Sequence, residues 1–166
     1  SSGYARQWGV ASPGVPDGPP MVHTKPVFLA RLSPDGTTLA VVAYDFATRL
    51  WDAATGTERT PPLMNEEQVA MGAFTPDNRI LVTVATDRAA RVSGVLAHPD
   101  IPISVDVHPD GKRFVTGAFD GRVRGWSIPR GELLFETESH GSRVWTVSHD
   151  PAGRRMASAS ADRTVR

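Results

Sequence analysis

The sequence predicts an all-β chain built on an internal repeat, and three observations carry that prediction. Four turn signals recur: Ser33-Pro34-Asp35-Gly36, Thr75-Pro76-Asp77-Asn78, His108-Pro109-Asp110-Gly111 and Asp150-Pro151-Ala152-Gly153. Each has proline at the second position, where its fixed φ suits a tight turn. Eleven residues beyond each proline stands an aspartate, namely Asp45, Asp87, Asp120 and Asp162. Between proline and aspartate run short apolar or small-residue stretches, 38–43, 80–85, 114–118 and 156–160, bounded by turns in the manner of buried strands. Similarity to itself at a fixed period is the mark of a repeat architecture.

The elements follow in order. Residues 1–22 read as the outer strands of a preceding repeat, with Tyr4-Ala5-Arg6-Gln7-Trp8 as its third strand. Repeats then span 23–64, 65–97, 98–139 and 140–166, the last without its final strand. Three open on a histidine eleven residues ahead of the proline, His23, His98 and His140, and Asn65 holds the fourth place. Six residues beyond Asp45 and Asp120 stand Trp51-Asp52 and Trp126-Ser127, and Ser93 stands at that place in the repeat between them. The proline-to-proline steps are 42, 33 and 42 residues. The short step predicts three strands in 65–97, with Gly94–Ala97 a stretched or vestigial outer strand. The five residues from Ser93 to His98 span only about 16–18 Å when extended, too little for a turn plus a strand.

This spacing resembles the WD-repeat β-propeller family, whose unit reads histidine, strand, proline-glycine turn, strand, aspartate turn, strand, Trp-Asp. The resemblance covers the whole chain and implies WD-type blades, about four blade periods of an incomplete ring. It also implies a hydrogen-bonded tetrad inside each blade. His98, Thr116, Asp120 and Trp126 form a full set. His23, Asp45 and Trp51 lack the hydroxyl, because Val41 takes its place, and Thr83 and Asp87 keep half a set. His140, Ser158 and Asp162 lack the tryptophan. Partner contacts in the family come from the third and fifth residues after the histidine and from the residue before the turn aspartate. Those places hold Pro26, Phe28 and Tyr44, then Gln68, Ala70 and Thr86, then Ile101, Ile103 and Phe119, then Arg143, Trp145 and Ala161. Phe28, Tyr44, Ile101, Ile103, Phe119, Arg143 and Trp145 are the interface candidates, since aromatic residues and arginine anchor protein interfaces. Pro102 suggests a shifted register in the Ile101–Ile103 strand.

Composition narrows the function. With 18 basic and 18 acidic side chains the net charge is zero, without the footprint that phosphate-backbone binding requires, so nucleic acid is not the expected partner. No cysteine is present, which excludes thiolate metal sites and thiol nucleophiles and leaves the compartment open, with the cytoplasm favoured. No apolar run approaches the roughly 20 residues of a membrane span. The His, Ser or Thr, and Asp residues recur at the blade period, which fits a scaffold better than a catalytic triad that would occur once. His108 and His149 read as turn or core residues, and Asp106 with the repeated histidines as no convergent cluster. The expectation is a non-catalytic protein-interaction scaffold without cofactor or metal. It forms part of a larger propeller, of the kind found in bacterial WD-repeat arrays linked to serine/threonine kinases. The alternatives are a half-ring closed by homodimerisation and, less favoured, a propeller enzyme with a site in its central funnel.

Overall fold

The computed structural model describes residues 3–11, 16–92 and 95–166, and of 95 and 96 the backbone. Among these residues there is no helix, hence none long and apolar enough to cross a membrane. The chain divides into two units, residues 1–68 and 69–166.

In the first unit, β1 (Gly3–Ala5) pairs antiparallel with β2 (Met21–His23). Next comes a four-stranded meander of β3 (Val27–Leu32), β4 (Thr38–Ala43), β5 (Ala47–Asp52) and β6 (Leu63–Met64). The second unit repeats that meander. One sheet holds β7 (Val69–Phe74), β8 (Leu81–Ala85), β9 (Ala89–Arg91) and β10 (Val95–Ala97). Another holds β11 (Pro102–Val107), β12 (Arg113–Ala118), β13 (Val123–Ser127) and β14 (Leu133–Glu136). Last comes the pair β15 (Val144–His149) and β16 (Met156–Ser160).

The second strand of each sheet coincides with the apolar stretch read from the sequence. β4, β8 and β12 are buried along nearly their whole length, so they read as continuous apolar runs, whereas β6 and β14 are exposed. In the first unit Leu39, Val41 and Trp51 close on Ala5 and Met21. In the second, β11 lies beside β7 and β8 on one side and β15 on the other. One core there joins Val82, Val84 and Ala90 to Val105, Phe114 and Trp126. A second joins Val115 and Val123 to Val144 and Val147.

Both turn classes repeat in detail. In the proline turns the fourth residue donates its N–H to the carbonyl of the first at 2.9 Å, from Gly36, Asn78, Gly111 and Gly153 alike. All four have φ between 63° and 72°, the left-handed region in which glycine and asparagine are tolerated. The aspartate turns explain the eleven-residue offset. Asp45, Asp120 and Asp162 accept the backbone N–H two residues on, a local bond that asparagine and aspartate side chains favour in turns. The residue after each aspartate is also left-handed: Phe46 (63°), Arg88 (60°), Gly121 (79°) and Arg163 (72°).

In 65–97, where three strands and a stretched or vestigial outer strand at Gly94–Ala97 are expected, β10 is a three-residue fourth strand at that place, paired antiparallel with β9 from Val95 opposite Arg91 to Ala97 opposite Ala89. The distance estimate assumed that the third strand runs on to Ser93. Instead β9 ends at Arg91, and residues 92–94 connect it to the returning strand. Ser93 and Gly94 themselves lie outside the described residues.

Candidate interaction surface

The polar network of each sheet grows from its second and third strands. β12 presents Thr116 and β13 presents Trp126, whose indole N–H donates to Thr116 Oγ1 at 2.9 Å. His98 Nε2 lies 2.9 Å from the same hydroxyl, and all three residues are buried. The chain of four stops there. Asp120 is held instead by Arg124, whose Nη2 sits 2.6 Å from Oδ2, and His98 Nδ1 has no partner at normal hydrogen-bond geometry. Burial pushes the His98 imidazole down to about 4, helped by the Arg124 charge and opposed by Asp120. Burial also works to raise the Asp120 carboxyl, but the Arg124 hydrogen bond and the Arg122 N–H leave it below the usual range.

Arginine takes the turn aspartate in two other sheets as well, Arg49 on Asp45 at 2.8 Å in competition with His23 and Arg91 on Asp87 at 2.5 Å where Asn65 stands in the histidine place. The sequence reading missed these pairs. Their signal was present, since an arginine stands four residues after every turn aspartate, at 49, 91, 124 and 166. In the first unit, Val41 supplies no hydroxyl, and both ring nitrogens of His23 and Nε1 of Trp51 are buried without partners. His23 still meets Trp51 edge-on, with centroids 5.3 Å apart, and burial lowers its pKa. The fullest linkage is at His140, whose Nδ1 lies 3.1 Å from Asp162 Oδ2 while Nε2 lies 2.9 Å from Ser158 Oγ. That connectivity matches a nucleophile, base and acid. The equivalent histidine-hydroxyl bond at His98 is sealed beneath Trp126, where no substrate reaches it.

At the opposite ends of the strands Asp106 meets His149 and His108, the histidines read as turn or core residues, and none of the repeated histidines. His149 donates to Asp106 Oδ2 from its backbone N–H at 2.7 Å and from Nδ1 at 2.8 Å. Its ring meets that of His108 edge-on, with centroids 5.1 Å apart. His108 Nε2 donates to the Gly153 carbonyl at 2.9 Å. Side-by-side first strands bring these residues together, a proximity that linear spacing does not encode. Three of the four ring nitrogens are thereby engaged: His108 Nδ1 is 2.9 Å from Asp110 Oδ1. The cluster ties one proline turn to the next. Among the described residues no group of histidines and acids is arranged to hold a metal ion.

The interface candidates lie at the ends that carry the aspartate turns. Every first strand has a register shift at one place, between Val27 and Leu29, Val69 and Met71, Pro102 and Ser104, and Val144 and Thr146. The skipped residues are Phe28, Ala70, Ile103 and Trp145, the fifth after each histidine position. A β-bulge re-aims a side chain and is common at binding rims. The shift in the β11 strand therefore belongs to the repeat and owes nothing to Pro102. A second regularity is that Tyr44, Phe119 and Ala161 donate their N–H at 3.0 Å to Pro26, Ile101 and Arg143. This bond joins the residue before the aspartate to the third after the histidine.

In the first unit these rules bring Phe28 and Tyr44 together, with centroids 5.4 Å apart and both rings exposed. In the second unit they place the Arg143 guanidinium 4.6 Å from the Trp145 centroid and 5.3 Å from that of Phe119. Trp145 is 51% exposed and Phe119 38%. Ile101 and Ile103 are half-buried beside them.

Repeated antiparallel meanders with fixed turns, apolar second strands and bulged rims define blades of the β-propeller class. Comparison with known proteins gives the family. The "WD domain, G-beta repeat" family (WD40) matches residues 21–52, 93–127 and 131–166, together more than half of the chain. The chain belongs to the WD40 repeat family. It is similar to Protein hir1 of Emericella nidulans (37% identity over 71 residues, 37% of this chain and 7% of that protein). It is also similar to Striatin-4 of Mus musculus (31% over 81 residues, 42% and 11%) and Protein groucho of Drosophila melanogaster (32% over 60 residues, 36% and 8%). The chain thus spans only about a tenth or less of the length of these relatives.

Proposed function

We propose that this chain is a non-catalytic protein-interaction module, one portion of a larger WD-repeat propeller, and that its docking face is the rim centred on Arg143, Phe119 and Trp145. The observation that carries the reading is the exposed arginine set over two exposed aromatic rings. Desolvated aromatic and arginine side chains dominate binding energy at protein interfaces, and solvent-facing rings of this size are available for that use. Ile101, Ile103, Phe28 and Tyr44 belong to the same class of rim position. The tetrad residues, His98, Thr116, Asp120 and Trp126 with their counterparts at His23, Asp45, Trp51, His140, Ser158 and Asp162, serve as scaffold. Their repetition and the burial of the histidine, hydroxyl and tryptophan members support that role. The test is a quantitative cross-linking pull-down that compares the wild-type chain with a Phe119→Ala/Trp145→Ala double variant of unchanged melting temperature. Partners captured by the wild type and lost by the variant are the expected result. Retention of every partner overturns the reading.

A further inference from the structure

We infer that the Arg143 rim receives an acidic segment of a partner protein, with a side-chain carboxylate seated in the plane of the guanidinium; the inference rests on the docking face proposed above.

The Arg143 guanidinium carbon lies over the Trp145 and Phe119 rings, and cation–π contact of this kind leaves the planar fork of N–H donors unspent on any oxygen acceptor. Among the described residues the Arg143 side chain has no ion pair and no hydrogen bond. This sets it apart from Arg49, Arg91 and Arg124, which are spent on turn aspartates. A guanidinium already held by two rings loses little further freedom when it forms a bidentate pair, and a carboxylate is the planar acceptor that matches its fork.

Part of the neighbouring charge favours the same ligand. The aspartate turns of this unit carry Arg88 and Arg163 directly after the aspartate, both exposed and, among the described residues, without an ion-pair partner. Of the turn aspartates, Asp87 and Asp120 are paired with Arg91 and Arg124, whereas Asp162 is held by hydrogen bonds from the Gly141 and Thr164 N–H groups and His140 and keeps its charge. Asp100, Glu138 and Asp162 are the rim carboxylates without an arginine or lysine partner among the described residues. Although the chain as a whole is neutral, this rim presents unpaired cations beside apolar surface from Ile101 and Ile103. The matching segment carries acidic and apolar residues together.

The probe is a fluorescein-labelled peptide of alternating Glu and Leu, roughly a dozen residues, which reaches about 40 Å when extended. Its anisotropy is measured with the full chain, against a Gln-Leu peptide of the same length. The expected result is binding of the acidic peptide, at least about tenfold weaker binding of the neutral one, and weakening by salt. Arg143→Gln and Arg143→Lys each reduce affinity about tenfold, because lysine keeps the charge but not the planar fork. Arg79→Gln, at the opposite strand ends, has no effect. Equal binding of the two peptides, or an Arg143→Gln variant that binds like wild type, overturns the inference. Competition by oligothymidylate as strong as by unlabelled acidic peptide also overturns it, since the rim would then be a general anion site. If no acidic peptide binds while the Phe119→Ala/Trp145→Ala variant still sheds protein partners, the carboxylate inference fails and the docking face stands. If the variant sheds none, both fail.

Discussion

The β3–β6 sheet of the first unit and the β11–β14 sheet of the second share strand order, turn geometry and first-strand bulge, yet only one of them has a hydroxyl at the fourth position of its second strand. Thr116 links His98 to Trp126 through a single oxygen, while Val41 leaves His23 and Trp51 adjacent but unlinked. The blade therefore forms with or without its buried polar network. Turn chemistry and apolar burial set the backbone, and the hydroxyl adds to a fold already specified.

Thr116→Val tests that lesson most severely, because it makes the second-unit sheet copy the first. It strands His98 Nε2 and Trp126 Nε1 in the core, and the expected loss is about 1–3 kcal/mol in urea-unfolding midpoints. A loss below about 0.5 kcal/mol would show that the network contributes nothing here.

Acid is the next lever. Because His98 titrates at about 4 when folded and near 6.5 when unfolded, the unfolded chain binds a proton across that window that the folded chain does not. Stability is therefore complete above about pH 6.5 and falls as pH drops toward 4. His23 is shifted in the same direction, so both sheets lose stability on acidification. Urea midpoints recorded at steps between pH 7 and 4 check the slope, and a His98→Gln variant should flatten it. A midpoint that rises on acidification contradicts the assignment.

The smallest effect is the reciprocal repair. Val41→Thr gives His23 and Trp51 a shared oxygen and is expected to stabilise the first unit by about 1 kcal/mol, seen as a higher melting temperature. The variant is informative in either direction. If Val41→Thr destabilises, the methyl packing lost against Leu39 and Met21 outweighs the bonds gained.

Features fixed by a few neighbouring residues were legible in the sequence. Proline at the second turn position and aspartate at the next turn act through local φ preferences and bonds two residues long, so the second strand at Thr38–Ala43 emerges with the bounds read for it. Features decided by competition or by stacking of sheets were not. That Arg124 takes Asp120 from His98 depends on side-chain reach across a strand. The meeting of His149, Asp106 and His108 depends on neighbouring first strands. The outer strand at Val95–Ala97 was placed by the repeat, but its regular pairing was not legible, because a third strand can end early and leave residues for the return, which a fixed repeat length conceals. The rim was half legible: its positions followed from the repeat, but the bulge that exposes them and the stacking of Arg143 required coordinates.

The bulge at the fifth residue after each histidine position has an evolutionary consequence. A residue that drops out of the ladder need not alternate in step with its neighbours: Phe28 and Trp145 are exposed at this place, Ile103 is half-buried and Ala70 still packs against the core. Four different side-chain volumes sit on one backbone solution within a single chain. At the two exposed places a substitution changes the surface a partner meets and leaves the ladder's hydrogen bonds in place.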